Sequence, residues 1–383
     1  EPFLKAKKPL SLGMAVPDHP WTKVTRDSAA VRIAMTVAEA GKEDGLLLEV
    51  KAEEAVDSDS PVILFAERPG KINPDLTVGA DVTAAVELKA NMAICSPGMK
   101  LHGSGFIVTP QAAEHLGLGR RPGLEQHIRT YRNGRDLTDR PRGVMVIDLF
   151  GLSADQVRTR YPEIYQHLQA TVKIAREQNV GYAANPTKDA LSYAEKWWLF
   201  GKPRSELRPA LANLPRYIAT VETAKHRVFQ FLDVSILPDN MLVAIGLSDG
   251  CPLGVLSSRF HVLWALAQGG TLEDRPRYSK SLCFDPFPFP PAEKLNQLVD
   301  EDGSILSEKI ASLAEELDAH RKRVLAEHAH LTLTGLYNVL ERLKAGAKAD
   351  DLDAKERRIF DDGLILIHTE LHEKLDAAVA EAY

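Results

Sequence analysis

Three groups of basic and polar residues in the middle of the sequence have side chains suited to binding nucleic acid. The first is RNGR at 132–135, the second is KHR at 225–227, and the third is RPRYSK at 275–280. Arginine presents a two-pronged donor to guanine or phosphate, asparagine pairs well with adenine, and tyrosine can stack on a base. The groups therefore indicate a nucleic-acid-binding face, and the alternative is an ordinary salt-bridged loop surface.

The charge of the chain is unevenly distributed. Its net charge of −6 does not by itself indicate a nucleic-acid partner. Residues 101–290, however, carry 23 lysines and arginines against 18 acidic residues, whereas residues 291–383 carry 12 against 20. A basic middle next to an acidic end is what a local phosphate-binding face requires, although chance clustering on a solvated surface gives the same pattern.

Several catalytic signatures are missing from the sequence. It contains no Gly-x-x-x-x-Gly-Lys-Ser/Thr phosphate loop, no Gly-x-Ser-x-Gly elbow and no Asn/Asp-Pro-Pro-aromatic tetrapeptide. The stretch GSGF at 103–106 lacks the third glycine of a cofactor loop, so we interpret it as a tight turn.

Two patterns could hold a metal ion. Pro74-Asp75 followed by Glu87-Leu88-Lys89 fits the loose signature of metal-dependent nucleases, in which the carboxylates bind Mg²⁺ and the lysine assists the attacking water. His368 and His372 are four residues apart in a predicted helix and could share a zinc ion. The first pattern is degenerate and the second lacks a third ligand, so ordinary helix surface is the favoured interpretation of the two histidines.

Length and composition set the outer limits. The 383 residues suffice for two or three domains, and no apolar run is long enough for a transmembrane helix. Three widely separated cysteines exclude a disulfide scaffold and favour a reducing cytoplasm. The sequence has no signal peptide and does not begin with methionine, so we expect a piece of a longer protein.

The elements that must position the basic groups are of mixed type. Strands are predicted at 10–16, 30–37 and 45–50, as the end of a larger sheet. Further strands are predicted at 143–150, 216–223 and 241–246, and helices at 162–177, 188–198 and 253–267, with a capping box formed by Ser153 and Gln156.

The last hundred residues begin with a proline-rich stretch. FDPFPFPP at 284–291 must be extended, and its phenylalanines favour an intramolecular strap over a ligand for a proline-recognition domain. Helices with two apolar stripes follow. The stripes are Leu306, Ile310, Leu313, Leu317 and Val324, and then Leu364, Ile367, Leu371, Leu375 and Val379.

Long motifs in this chain resemble, in the same order, those of bacterial MmeI-like proteins, which are single-chain restriction–modification enzymes and related DNA adenine-N6 methyltransferases. The motifs, which span almost the whole chain, are LHGSGFIV at 101–108, NGRD at 133–136, WWLFG at 197–201, LPRYIAT at 214–220, KHR at 225–227, LPDN at 237–240, GVLSSR at 254–259, RYS at 277–279, FDPFPFP at 284–290, LTLTGLYNVL at 331–340 and ELH at 370–372.

The resemblance implies an organisation and a reaction. It implies a mixed α/β fold, with the last strands of a methyltransferase sheet at 1–70, a target recognition domain at 71–290 and a C-terminal helical domain at 291–383. The parent protein would use S-adenosylmethionine to methylate adenine N6 in double-stranded DNA. The cofactor motif and the Asn-Pro-Pro-aromatic motif, which polarises the adenine amino group and stacks on the flipped base, are missing here. We therefore expect this chain alone to need no cofactor, to bind DNA and not to methylate it.

The candidate DNA contacts combine the basic groups with the resemblance. The generic family motifs at 133–136 and 225–227 are expected to hold phosphates rather than to read sequence. A metal-dependent nuclease using Asp75, Glu87 and Lys89, and a structural scaffold that binds proteins, are the alternatives. The candidate contacts are Arg132, Asn133, Arg135, Arg216, Lys225, His226, Arg227, Arg277 and Lys280.

Overall fold

The structure is a computed structural model that describes residues 10–21, 31–41, 43–56, 58, 61–73, 76–79, 85–272, 275–299 and 303–383. The chain divides into two compact units, Glu1–Val86 and Glu87–Tyr383. The predicted mixed α/β class is confirmed. The domain boundaries expected after residues 70 and 290 stay predictions.

The N-terminal unit is a four-stranded sheet with the order β2-β1-β3-β4. The strands β1 and β3 are parallel, and the two outer pairs are antiparallel. The three strands expected from the sequence are present, and a fourth, which we did not predict, pairs along the whole of β3. The strands are β1 (Leu10–Pro20), β2 (Arg32–Ala40), β3 (Gly45–Glu54) and β4 (Val62–Gly70).

The larger unit contains short strands and many helices. Its strands are β5 (Cys95–Pro97), β6 (Ile107–Val108), β7 (Ile128–Arg132), β8 (Met145–Ile147), β9 (Arg216–Val221), β10 (Gln230–Asp233), β11 (Leu237–Pro238), β12 (Leu242–Ile245), β13 (Thr271–Leu272) and β14 (Arg275–Pro276). Its helices are α1 (Pro110–His115), α2 (Gly134–Thr138), α3 (Ala154–Arg160), α4 (Pro162–Leu168), α5 (Ile174–Tyr182), α6 (Lys188–Glu195), α7 (Leu207–Leu211), α8 (Gly250–Ser257), α9 (Arg259–Gln268), α10 (Ala292–Leu295), α11 (Leu306–Glu327), α12 (Leu333–Lys344), α13 (Ala354–Asp362) and α14 (Ile365–Glu381).

Two four-stranded sheets form the framework of this unit. Their orders are β10-β9-β12-β5 and β11-β7-β8-β6, and β13 and β14 form a separate hairpin. The central strand β9 is buried from Tyr217 onward because both of its faces pack against apolar side chains. The main core therefore lies around β9 and supports the loops at its two ends.

Of two long predicted helices, one is confirmed and the other is interrupted in the structure. Helices α4 and α5 are joined by a π-helical turn at Gln169–Lys173, so the predicted helix at 162–177 is confirmed as a continuous helical segment. The predicted single helix at 253–267 is wrong because it is interrupted at Ser258. The Ser258 backbone is extended, and its hydroxyl donates to the Val255 carbonyl at 2.7 Å.

The C-terminal helices bury most of both predicted stripes. Leu306, Ile310, Leu317 and Val324 of α11 are buried as expected. In α14, Leu371, Leu375 and Val379 are also buried as expected, whereas Ile367 and the preceding Leu364 are exposed, and His368 and His372 share the buried face. The interpretation of these histidines as helix surface is therefore wrong, because the helix turns its histidine-bearing face towards α11 and α12.

The proline-rich stretch packs within the larger unit. Phe284 and Phe287 are buried, and the Asn91 side chain donates to the carbonyls of Phe284 at 3.1 Å and Phe287 at 2.8 Å. The segment is an intramolecular strap, as the sequence predicted.

Candidate nucleic-acid interface

A surface groove brings three of the predicted contact residues together. It has a cavity volume of about 630 Å³, and its walls come from α2, from the loop after β9 and from the beginning of α12. We call this feature the basic groove. Its charged and polar lining consists of Asn133, Arg135, Thr138, Asp139, Thr223, Lys225, Arg275, Thr332 and Thr334.

Helix α2 is fixed at its first turn by a capping box. Asn133 Oδ1 accepts from the Asp136 amide at 3.1 Å, and the Asp136 carboxylate accepts from the Asn133 amide at 2.8 Å. The same carboxylate binds Arg142 through two nitrogens at 2.9 and 2.8 Å. Burial by itself would raise the pKa of Asp136, but the hydrogen bonds from Arg142 and Asn133 outweigh it and lower that pKa. The carboxylate stays ionised and holds the turn.

Arg135 lies on the exposed side of this fixed turn. Its guanidinium forms no hydrogen bond or ion pair with the residues that the structure describes. The adjacent Gly134 packs tightly, since a β-carbon there would lie 2.9 Å from a methyl carbon of Val221. A rigid turn therefore presents a solvated cation to the groove.

The three consecutive basic residues at 225–227 occupy different environments. Lys225 is exposed, lines the groove and donates to Asn338 Oδ1 of α12 at 2.7 Å, with the Glu341 carboxylate at 3.4 Å. His226 is half-buried, and its Nε2 lies 2.8 Å from the same Asn338 oxygen. These contacts tie the loop after β9 to α12, which forms the opposite wall.

Arg227 points into the protein. It is buried, and its guanidinium donates to Thr220 Oγ1 at 3.1 Å, to the Pro276 carbonyl at 3.0 Å and to the Val221 carbonyl. Burial lowers its pKa to about 10, so it remains charged at neutral pH. These bonds from its two terminal nitrogens hold the hairpin β13–β14 against β9.

Four other candidates lie outside the lining of the groove. Arg216 forms a two-point ion pair with Glu315 and lies 3.7 Å from the Phe231 ring centre, and Lys280 pairs with the buried Asp285 at 2.6 Å. Arg277 is exposed and pairs with Glu222 at 2.7 Å. Arg132 is half-buried, and its buried Nε has no hydrogen-bond partner among the described residues.

The structure adds groove residues that the sequence analysis did not select. Arg275 belongs to the third basic group, but its two basic neighbours were chosen instead. Thr332 caps α12 by accepting from the Gly335 amide at 3.0 Å, and Thr334 donates to the Thr138 carbonyl at 3.4 Å. A threonine three residues before a glycine in an apolar helical segment is a helix-start signal that could have identified this wall.

The metal-binding hypotheses find no further support. Pro74 and Asp75 lie outside the described residues, and Glu87 and Lys89 are exposed. His372 Nε2 lies 2.9 Å from the Tyr337 hydroxyl, and burial lowers the pKa values of both His368 and His372. Within the described parts of the chain, no three histidine, cysteine or acidic side chains are grouped as metal ligands.

No helix in the part of the chain that the structure describes combines the length and the apolar character needed to cross a bilayer.

A solved structure shares the fold of the chain. The structure of the type IIL restriction-modification enzyme MmeI in complex with DNA superimposes with a TM-score of 0.66 and 19% identity, over 98% of this chain and 43% of that one. This chain thus spans less than half of that protein. The type IIG restriction endonuclease BpuSI matches over 97% of this chain and 44% of its own, with 12% identity and a TM-score of 0.36. No curated protein matches the sequence.

A family comparison is more specific than the shared fold. The family described as MmeI, target recognition domain, matches residues 82–291, which is more than half of the sequence. The matched segment contains α2, β9, the 225–227 loop and Arg275, and therefore most of the basic groove. On this evidence the chain belongs to the MmeI target recognition domain family.

Proposed function

We propose that this chain is the DNA-recognition portion of a restriction–modification enzyme and that the basic groove contacts the phosphates of duplex DNA. The observation that carries the proposal is the convergence of Arg135, Lys225 and Arg275 on one groove within the family's domain. Among the described lining residues Asp139 is the one carboxylate, and Glu341 of α12 pairs with Lys225 at 3.4 Å, so the exposed Arg135 is the lining cation best placed to meet a phosphate. The similar MmeI structure is a complex with DNA, which supports the same partner.

The geometry of the wall opposite Lys225 also favours phosphate. The first turn of α12 lines the groove, and the free amides at the beginning of a helix carry partial positive charge. Thr332 accepts from the Gly335 amide in this turn, and the partial positive charge of the helix end favours an oxygen of a DNA backbone nearby. Contacts of this kind position a protein on a duplex and carry no sequence information.

The parent protein, we further propose, methylates adenine N6 with S-adenosylmethionine. The family membership supports a restriction–modification enzyme, and the described residues of the N-terminal unit form only a sheet. That sheet has no strand-to-helix turn in its described part, so the residues present do not fit the cofactor. With labelled S-adenosylmethionine and plasmid DNA, the chain alone is expected to transfer no methyl group, and measurable transfer would contradict this.

The DNA-binding proposal is tested by the salt dependence of binding to a labelled duplex, measured by fluorescence anisotropy. Replacing Arg135 and Lys225 together by alanine removes two phosphate contacts. We expect weaker binding to every duplex and a slope of log K against log salt that is smaller by about 2. Arg227 is left unchanged in this test because its removal would damage the core.

The matched control removes two positive charges elsewhere. Arg158 and Lys294 are exposed and lie outside the groove, and replacing both by alanine gives the same change in net charge. The control variant should retain the slope of the wild type. Equal slopes for the wild type and the groove variant, or no duplex binding by the wild type at low salt, would refute the proposal.

A further inference from the structure

A second opening in the larger unit has a different chemistry from the basic groove. Its cavity volume is about 480 Å³, and none of its lining residues belongs to the groove. We call it the His102 pocket. The residues that carry the argument are Lys100, His102, Arg176, Asp189, Tyr193 and Lys202.

The floor of the His102 pocket is a buried arginine without a carboxylate partner. The Arg176 guanidinium donates to carbonyl oxygens on both walls, including those of Leu101 at 2.8 Å, His102 at 2.9 Å and Tyr193 at 2.9 Å. Burial lowers its pKa to about 10, which leaves it charged at neutral pH. Carbonyl groups solvate the cation but do not neutralise it, so the floor attracts an anion.

Two lysines stand side by side at the rim. Lys100 and Lys202 face each other across an antiparallel bridge, with backbone hydrogen bonds of 3.1 and 2.9 Å. Both are exposed, and their ammonium groups form no hydrogen bond or ion pair with the described residues. Like charges placed directly opposite each other repel, and an anion bound between them removes that repulsion.

An aromatic wall completes the pocket. The rings of His102 and Tyr193 are stacked, with centroids 4.6 Å apart and an interplanar angle of 29°. Burial and the nearby cations Lys100, Arg176 and Lys202 lower the pKa of His102, so its ring is neutral at physiological pH. A neutral aromatic pair beside a cluster of cations suits a ligand that joins a flat ring to an anion.

The backbone around this wall is under constraint. His102 has a φ of +52°, a left-handed conformation that is costly for a residue other than glycine. Gly201 makes the arrangement possible, since a β-carbon there would lie 2.4 Å from the histidine ring. The π-helical turn at Gln169–Lys173 brings Val172 into the same wall. Strained residues and π-helical turns are both concentrated at functional sites.

We propose that the His102 pocket binds a nucleoside phosphate, with the phosphate between Lys100 and Lys202 above Arg176 and the base against His102 and Tyr193. Asp189, the one acidic side chain in the described lining, accepts from the Tyr193 hydroxyl at 3.2 Å and remains able to accept from a base or a ribose. A free mononucleotide and a nucleotide within a single DNA strand both supply this chemistry. The site is separate from the proposed duplex-binding groove.

The test is isothermal titration of the full chain with adenosine monophosphate, with an eight-nucleotide single-stranded DNA and with inorganic phosphate. In the K100Q/K202Q variant we expect the affinity for the nucleotide ligand to fall at least tenfold, because both phosphate contacts lose their charge. Tyr193→Leu should weaken it about fivefold or more by removing the aromatic wall. Lys294→Gln combined with Lys355→Gln is the matched control, because both lysines are exposed and distant in sequence from the pocket.

The outcomes separate the two sources. Lysine-dependent binding of adenosine monophosphate supports a free nucleotide, and lysine-dependent binding of the oligonucleotide alone supports a DNA strand. No binding of either ligand by the wild type, or equal affinity of wild type and K100Q/K202Q, overturns the proposal. Inorganic phosphate binding as tightly as the nucleotide overturns the assignment of the base.

The binding assays distinguish a wrong assignment of the His102 pocket from a wrong assignment of the basic groove. K100Q/K202Q should bind duplex DNA with the salt slope of the wild type, whereas the Arg135 and Lys225 variant should retain the affinity for adenosine monophosphate. Thermal unfolding of each variant verifies that the fold is intact.

Discussion

The basic groove and the centre of the C-terminal helices use arginine in opposite ways. In the groove, Arg135 is exposed and has no partner among the described side chains. Between α11, α12 and α14, Arg321 is buried and donates to the Tyr337 hydroxyl at 3.0 Å and to the Phe229 carbonyl at 2.8 Å. The first guanidinium is available to a ligand, and the second is part of the scaffold.

This contrast explains why residue type alone is a poor guide to function here. Arg227 and Arg321 are of the same residue type as Arg135, but each is surrounded by carbonyl or hydroxyl acceptors from its own chain. Removing a buried, satisfied charge leaves several acceptors unpaired, whereas removing a solvated one leaves only water. Substitution of a buried arginine should therefore lower the free energy of unfolding, whereas substitution of an exposed one should weaken DNA binding and leave stability nearly unchanged.

The largest effect is expected for Arg321→Met. This change removes the donor shared by the Tyr337 hydroxyl and the Phe229 carbonyl, whereas Asp318 keeps its ion pair with Lys322 at 2.6 Å. Leaving the two buried acceptors without this donor costs about 1–3 kcal/mol each. Urea unfolding measures the loss. Arg323→Met, two residues along the same helix at an exposed position, is the control and should change the free energy of unfolding by less than about 0.5 kcal/mol. Equal losses of unfolding free energy in the Arg321→Met and Arg323→Met variants would contradict the view that the buried arginine is part of the scaffold.

The next effect concerns the pH dependence of stability. Burial, together with Arg321 and Lys344, lowers the pKa of His372 to about 3, below the ordinary value of 6.5. The neutral ring is favoured in the folded state, so its contribution is complete above pH 6.5 and is lost as the pH falls towards 3. Lowering the pH from 7 to 5 should therefore reduce the free energy of unfolding by about 2 kcal/mol through this histidine alone.

His372→Gln sharpens this prediction. Glutamine can still bind the Tyr337 hydroxyl but does not titrate, so the difference in unfolding free energy between pH 7 and pH 5 should shrink by that amount. His115→Gln, at an exposed position, should leave the difference unchanged. The prediction is contradicted by a His372→Gln variant with the pH profile of the wild type.

A smaller effect is expected at the junction of the two regions. Thr332 both caps α12 and lines the groove, and loss of an N-cap hydroxyl costs about 1 kcal/mol. Thr332→Ala should lower the free energy of unfolding by this amount and also weaken duplex binding. Thr332→Ser retains the hydroxyl and should behave like the wild type in urea unfolding and in anisotropy titrations.

The smallest effect on stability is expected for Arg135→Ala. Because this side chain is solvated, the free energy of unfolding should change by less than about 0.5 kcal/mol. The salt slope of duplex binding should nevertheless fall by about 1. An Arg135→Ala variant that is less stable than the wild type but binds DNA equally well would show that Arg135 supports the fold and does not contact DNA.

Much of the fold could be predicted because its local signals are strong. The capping box of Ser153 and Gln156 forms as expected, and the apolar stripe of α11 faces the core. The break at Ser258 was missed because the apolar residues on its two sides, among them Leu253, Leu256, Phe260 and Leu263, continue one helical pattern across the polar residues Ser257, Ser258 and Arg259. Leu371, Leu375 and Val379 of α14 face the core as predicted, but the burial of His368 and His372 on the same face was missed because it depends on tertiary contacts that sequence hydrophobicity does not reveal.

The candidate site was less predictable than the fold. Sequence patterns identified Asn133, Arg135 and Lys225, which line the groove, but could not distinguish them from Arg216 or Arg227. The distinction depends on distant partners, such as Glu315 of α11 for Arg216. Ion pairs between residues a hundred positions apart have no local signature.

The way α11 meets the sheet has a consequence for protein engineering. The edge strand β10 is covered by α11, whose Arg321 and Lys322 donate to the Phe229 and Phe231 carbonyls. A chimera that transplants residues 87–291 without this helix would leave those carbonyls unpaired and the edge open to pairing with another molecule. A graft of this region into another protein should therefore include α11 together with the sheet. Without the helix, the exposed edge of β10 should make the chimera prone to aggregation.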